Sequence, residues 1–383
     1  MEFELNDMQT MVRDTARRFA DSELRPSAQE RDHSEAFPHD ELAKMAELGL
    51  MGVNIGAEYG GSEAGVVAYS LAITEIARAD ASVGVTMAVN NMVGEVIEAF
   101  GTDAQKERYI PKLTSGEFSS GSFCLSEPGA GSDPSAMRTR AKRTDDGWTI
   151  DGSKAWITSG EFAGVFVVWA RTEMPDGSDR ISTFLVDPAT DGISVGKPEE
   201  KMGQRGSNTV SLTFEDVRLP EDALLGELGE GFKIAMVALD GGRIGVGSLA
   251  LGLGREALSL ALDYAQEREQ FDRPIIRFQG IQFKLADMAT ELDAAKLLCL
   301  RAAWMKERGE QRFTRQASMA KLYATEAAWR ACDEAVQIFG GYGYTKEYAV
   351  ERLLRDCRVT RIYEGTNEIQ RVVISRDLSQ NGV

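Results

Sequence analysis

Histidine is almost missing. Only His33 and His39 occur in 383 residues, both in a polar N-terminal stretch. A zinc centre or a Ser-His-Asp triad would have to use one of them, and neither has ligand spacing around it. Both read as surface residues. Cysteine is scarce too: Cys124, Cys299, Cys332 and Cys357 are scattered and form no C-x-x-C. That usage predicts free thiols in a reducing compartment. Basic residues are outnumbered, 43 against 60 acidic ones, for a net charge of −17. Nucleic acid and anionic membranes demand a basic face and are excluded as main partners. Long hydrophobic runs are lacking. Residues 163–170 (AGVFVVWA) are too few to span a bilayer, 234–262 is broken by Asp240, Arg243 and glycines, and the N-terminus shows no signal-like apolar segment. The sequence predicts a cytoplasmic protein without a membrane span. With 43% hydrophobic and 27% charged residues the composition is that of a globular chain, and the length suits two or three domains.

Three textures follow one another. Residues 1–120 read as a helical domain. Leu5, Met8, Met11, Val12, Ala16 and Phe19 recur at helical spacing, and 40–49 (DELAKMAELG) offers Asp40 as an N-cap and Gly49 as a stop. Residues 121–228 carry short runs rich in Val, Ile, Thr, Trp and Phe, separated by Asp146-Gly147, Asp151-Gly152, Pro175-Asp176-Gly177 and Asp191-Gly192. This is the pattern of antiparallel strands, and it predicts a small β sandwich or barrel. Residues 229–383 return to amphipathic helix over 230–267, 278–308, 312–339 and 345–378, a four-helix bundle. The fold class is α+β multidomain, in the order helices, sheet, helices.

Five segments carry candidate chemistry. GVGSLALG (245–252) superficially offers a dinucleotide glycine pattern but has no strand before it, so small residues for close helix packing are the better reading. FCLSEPGAGSD (123–133) joins a strand to a Gly/Pro turn. It is either a plain connection or a loop whose bare N–H groups, with Ser126 and Ser132, approach a ligand. KAWITSG (154–160) places Trp156 and Thr158 on one strand face, which suits either a core tryptophan or contact with a flat heteroaromatic ring. QIFGGYGY (337–344) ends a helix on a glycine pair. RIYEGTNEIQR (361–371) sets Glu364 before Gly365, with Thr366 or Asn367 to cap the next helix and Asn367–Gln370 at capping-box spacing. Glu364 there is either an acid complementing a helix dipole or a carboxylate on a bend entering a ligand cavity.

The last four of these segments, with LDGGRIGVGS, YAQEREQFDRPI and FQGIQFKLADM, occur in register along nearly the whole chain. Together they resemble the acyl-CoA dehydrogenase family, most closely its short-chain (butyryl-CoA) type. The resemblance implies noncovalent FAD with an acyl-CoA thioester stacked on its ring. Positions matching the family's flavin contacts are Phe123, Leu125, Ser126, Gly131, Ser132, Trp156, Ile157 and Thr158. Arg268, Phe271, Gln279, Gln337, Ile338, Phe339, Gly340 and Gly341 match positions that hold FAD, partly across a subunit interface. Thr366, Asn367 and Glu368 match a further FAD turn. Ser132, Asp240, Arg243, Tyr363 and Gly365 match substrate contacts, and Glu364 matches the catalytic base. Some relatives carry the base near the position of Gly242, where glycine cannot serve. Related nitroalkane oxidases have Asp where this chain has Glu364. Phe123 stands where relatives often have Tyr.

The implied reaction forms a trans-2,3-double bond in a short- or medium-chain acyl-CoA. Glu364 removes the α-proton, hydride passes to flavin N5, and electrons go on to electron-transferring flavoprotein. A homotetramer built as a dimer of dimers is implied, and residues 90–96 are expected at the floor of the acyl pocket. Three rivals stay open: an oxidase, a lyase or desulfinase on a short substituted acyl-CoA, and a non-catalytic assembly subunit.

Overall fold

The N-terminal layer consists of α1 (Asp7–Phe19), α2 (Ala28–Ser34), α3 (His39–Glu47), α4 (Gly65–Ala79), α5 (Ala81–Phe100) and α6 (Asp103–Thr114), as seen in a computed structural model that describes residues 4–310 and 312–382. Asn6 starts α1 through a capping box with Gln9, at 2.8 and 3.1 Å. Val12, Ala16 and Phe19 are buried as their spacing predicts, but Met8 and Met11 of the same stripe are exposed. The expected cap of α3 also differs. Pro38 occupies that position and Asp40 lies inside the first turn, where its charge complements the helix dipole. Gly49, at φ +72°, ends the helix as predicted. His33 and His39 are exposed.

The middle of the chain forms one eight-stranded sheet: β1 (Ser120–Cys124), β2 (Arg140–Thr144), β3 (Gly147–Thr158), β4 (Ala163–Glu173), β5 (Asp179–Val186), β6 (Ile193–Val195), β7 (Thr209–Pro220) and β8 (Leu224–Leu225). Its order is β6-β7-β3-β2-β4-β5-β8, with β1 beside β4. Most pairs are antiparallel, but β4 runs parallel to both β1 and β2. Alternation of side chains is the same in either direction, so the sequence pattern did not reveal this. On β4, Val165, Val167 and Trp169 join the core shared with the helices. Phe166, Val168 and Ala170 point into a second core within the β domain. Burial on both faces explains the continuous apolar run.

The C-terminal layer is α7 (Gly231–Glu267), α8 (Gln279–Glu307), α9 (Thr314–Phe339), α10 (Val350–Arg358) and α11 (Asn367–Asn381). The fourth helix expected over 345–378 is thus two helices, broken at the turn that carries Glu364. Glu364 and Gly365 there have φ of +53° and +84°, which no α-helix accommodates. GVGSLALG lies inside α7 and is a packing surface: a Cβ at Gly252 would meet Thr74 O at 2.4 Å. By length and composition α7 is apolar enough to cross a membrane, yet 78% of its most apolar stretch is buried in the protein. All four cysteines are free and buried.

Candidate functional site

The sharpest constellation forms where the turn before α11 meets α7. The turn is fastened from several sides. Gln370 Nε2 donates to the carbonyls of Glu364 (3.1 Å) and Gly365 (2.9 Å). Lys321 Nζ, from α9, donates to Gly365 O at 2.9 Å and Asn367 Oδ1 at 2.8 Å. Thr366 caps α11 by accepting from Ile369 N at 3.3 Å. Asn367 does not form the capping box its spacing suggested. It turns inward and donates to Thr325 Oγ1 at 3.0 Å and Glu326 Oε1 at 2.9 Å, because the buried helix α9 offers better partners than the helix end. Tyr363 is held at its hydroxyl by Gln204 Nε2 (3.2 Å), from the loop before β7, and Gln204 N in turn donates to Asp356 Oδ1.

This framework aims the Glu364 side chain at α7. A Cβ on Gly242 would stand 2.7 Å from Glu364 Oε2 and 3.2 Å from Met92 Sδ. A side chain at this position would displace the carboxylate from its place. The residue as a whole is partly exposed, but Oε2 is sealed from solvent without a hydrogen-bond partner. Among the described residues it is the one carboxylate oxygen so placed. Desolvation lifts the Glu364 carboxyl to about 7, against the pull of Arg243 and Lys321. The Lys321 ammonium is driven down to about 7 by its own burial, which Glu364 opposes. Arg243 and Asp240 are buried on α7 as an ion pair at 2.5 Å, and Asp240 also accepts from Thr314 Oγ1. Tyr69 completes the surround: a Cβ at Gly245, one turn along α7 from Gly242, would meet its hydroxyl at 2.6 Å.

A second group lies on the β domain. Trp156 is not a core tryptophan. A bulge between Lys154 and Ile157 turns it out with φ +63° and 64% exposure. Ile157 is buried beneath it, and Thr158 accepts from Ser122 Oγ at its carbonyl. The adjoining loop is shaped by a buried pair. Lys154 Nζ donates to Glu127 Oε1 (2.8 Å) and Leu125 O (3.2 Å), while Glu127 also accepts from the N–H groups of Arg138 and Thr139. Ala155 N donates to Ser126 O at 3.0 Å. Ser132 is exposed, and the positions where Cβ atoms would stand on Gly129 and Gly131 face open space. Phe123 rests on Trp169, rings 4.2 Å apart.

A third group lines a cavity of about 440 Å³ between the ends of α7 and α9: Arg268, Ile338, Phe339, Gly340 and Gly341, with Tyr264 and Tyr342. Phe271, 87% exposed, and the exposed Gln279 and Gln337 stand nearby in sequence, outside its lining. Glu368 is exposed on α11. So the structure joins Gly365, Asn367 and Arg243 to the Glu364 group and keeps the Trp156 and Arg268 groups as separate surfaces of the chain.

Sequence reasoning missed Lys321, Gln370, Gln204, Glu127, Lys154 and Tyr69. One signal was available: Ala317, Lys321, Ala324 and Ala328 share a helical face, so a lysine sits on an otherwise small, apolar stripe. Gln204 had none, since its partner Tyr363 is 159 residues away.

Family models for the acyl-CoA dehydrogenase N-terminal, middle and C-terminal domains match residues 6–117, 122–217 and 229–379. The mitochondrial short-chain specific acyl-CoA dehydrogenase of Bos taurus is 48% identical over 377 residues, 98% of this chain and 91% of that protein. The structure of butyryl-CoA dehydrogenase from Megasphaera elsdenii is similar with TM-score 0.96 and 43% identity, over 99% of this chain and 100% of that one. Glutaryl-CoA dehydrogenase from Mycobacterium smegmatis in complex with FADH2 gives TM-score 0.93 and 32% identity, over 99% and 96%. The chain belongs to the acyl-CoA dehydrogenase family and has its three-domain fold of helices, sheet and helices.

Proposed function

We propose that the chain is an FAD-dependent acyl-CoA dehydrogenase that introduces a trans-2,3-double bond into a short- or medium-chain acyl-CoA, with Glu364 as the base. The observation that carries this is the sealed, unpartnered Glu364 Oε2 above Gly242. A carboxylate kept from water and lifted to about 7 is a far stronger base than a free one, and part of it is ionised at neutral pH.

The flavin surfaces fit a flat, extended dinucleotide. An indole held out on a strained bulge offers a plane, and Gly129 and Gly131 leave room for backbone approach. The glycine pair at 340–341 and Arg268 border a cavity able to take a second part of such a ligand. Bound FAD supplies the acceptor for the two electrons of the Cβ–H bond. The chain supplies the rest. Among the described residues the Glu364 N–H meets no acceptor, so it is free to donate to the thioester carbonyl and to stabilise enolate charge as it develops. Glu364 Oε2 takes the α-proton.

Apolar residues left exposed on the C-terminal helices, among them Phe283, Val372 and Leu378, support a homotetramer. Electron-transferring flavoprotein is the partner that the family resemblance supports, and the four free thiols are consistent with a cytoplasmic location. Anaerobic titration of the FAD-loaded protein with a panel of acyl-CoAs, followed by flavin absorbance, tests the reading. Short or medium thioesters should bleach the flavin, and failure of every one would refute it.

A further inference from the structure

Lys321 is fully buried on α9, and both groups it donates to, Gly365 O and Asn367 Oδ1, are uncharged. A buried ammonium without a bonded carboxylate costs several kcal/mol of desolvation, on the order of that for any isolated ion. Packing alone would favour methionine on this stripe of alanines. The position makes sense only if the charge is used. The groups facing it are Glu364 on the turn, Arg243 on α7, Glu326 on its own helix and Glu368 on α11. Glu326 and Arg361 already pair with one another, and Glu368 is exposed. On the far side of Glu364, Tyr69 on α4 feels both that carboxyl and Glu95 of α5, while Glu95 is paired with Lys306. The unpartnered anion within this group is Glu364.

We propose that Lys321 is a positioning residue for Glu364: its ammonium pins the left-handed turn at Gly365 and provides the positive charge that keeps the neighbouring carboxylate ionised for proton abstraction. The inference rests on the assignment of Glu364 as base. One hydrogen bond fixes the backbone at Gly365 and the other holds the Asn367 side chain, so the turn on the C-terminal side of Glu364 keeps the carboxylate over Gly242. Lys321 and Glu364 titrate in the same range, each favouring the charged form of the other, so the ammonium lowers the Glu364 midpoint for as long as it is protonated. Removing it disfavours the Glu364 anion, so the carboxyl must titrate at higher pH.

The test uses FAD-loaded protein and an acyl-CoA that bleaches the wild type. Lys321→Met removes donor and charge, whereas Lys321→Gln removes the charge and keeps an N–H donor, covering the case in which the methionine variant fails to fold. Flavin bleaching is recorded against pH, alongside FAD content and acyl-CoA affinity. The expected result is a rate at least about tenfold lower at neutral pH, with the midpoint of the pH profile raised by about one unit or more, which corresponds to a tenfold change in the ionisation constant. FAD content should hold. A rate loss with an unmoved midpoint would reduce Lys321 to scaffolding and overturn the proposal, as would an unchanged rate. Should none of the acyl-CoAs bleach the wild type, the functional reading fails instead. Infrared titration of the Glu364 carboxyl, taken as a difference against Glu364→Gln, then still decides whether Lys321→Gln raises its midpoint.

Discussion

Replacing Gly242 by alanine probes the point where α7 meets the base. The new methyl would stand 2.7 Å from Glu364 Oε2, 3.1 Å from its Cδ and 3.2 Å from Met92 Sδ, where ordinary contact begins at 3.4 Å. Oε2 must therefore retreat by about 0.7 Å, on the scale at which misplacing a reacting group by an ångström costs about a hundredfold in rate. Folding should notice much less. All three atoms lie at the ends of side chains that can give, and alanine in a helix interior is favoured over glycine by about 0.5–1 kcal/mol. The variant should melt within a few degrees of the wild type and retain FAD. Anaerobic stopped-flow bleaching by acyl-CoA should slow by about 10- to 100-fold. Bleaching at the wild-type rate, with FAD bound normally, would show that the carboxylate does not act from its place above Gly242.

Glu364→Gln should keep FAD and bind acyl-CoA while losing about 10²–10⁴-fold in bleaching rate, the usual span for a general base. In the wild type that rate should rise with pH through about 7 as Glu364 ionises. Stability should carry the opposite trend. The folded carboxyl holds its proton up to about 7 and the unfolded one only to 4.5, so ionising Glu364 destabilises the fold progressively across that window and no further above it. Denaturant midpoints of wild type and Glu364→Gln should thus diverge between those pH values, with the glutamine form the more stable at the upper end, and parallel curves would refute the burial argument. Lys154→Met strips Glu127 of its buried cation and should cost about 3–5 kcal/mol in urea unfolding, with faster loss of FAD. Unaltered unfolding would mean that this pair does not shape the 123–132 loop.

Much of the architecture was legible because its signals are local. Helical periodicity marked the two flanking layers, alternation with turn residues marked the sheet, and the scarcity of histidine removed whole reaction classes. Gly365 beside Glu364 signalled a bend, and the left-handed φ values there bear it out. The Trp156 question stayed open because exposure depends on a bulge, which arises from pairing between β3 and β7 and not from the residues on β3 alone. The direction of β1 and β2 against β4 stayed hidden for the same reason.

The order of elements and the presence of a carboxylate on a glycine bend were written in the residues themselves, since propensity and spacing act over a few positions. What that carboxylate can do was decided in three dimensions. Its basicity comes from water excluded by α5, α7 and α9, its aim from Gly242 some 120 residues earlier, and its counter-charge from Lys321 on another helix. Desolvation and Coulomb interaction depend on distance in space, so no stretch of sequence around position 364 could have revealed them.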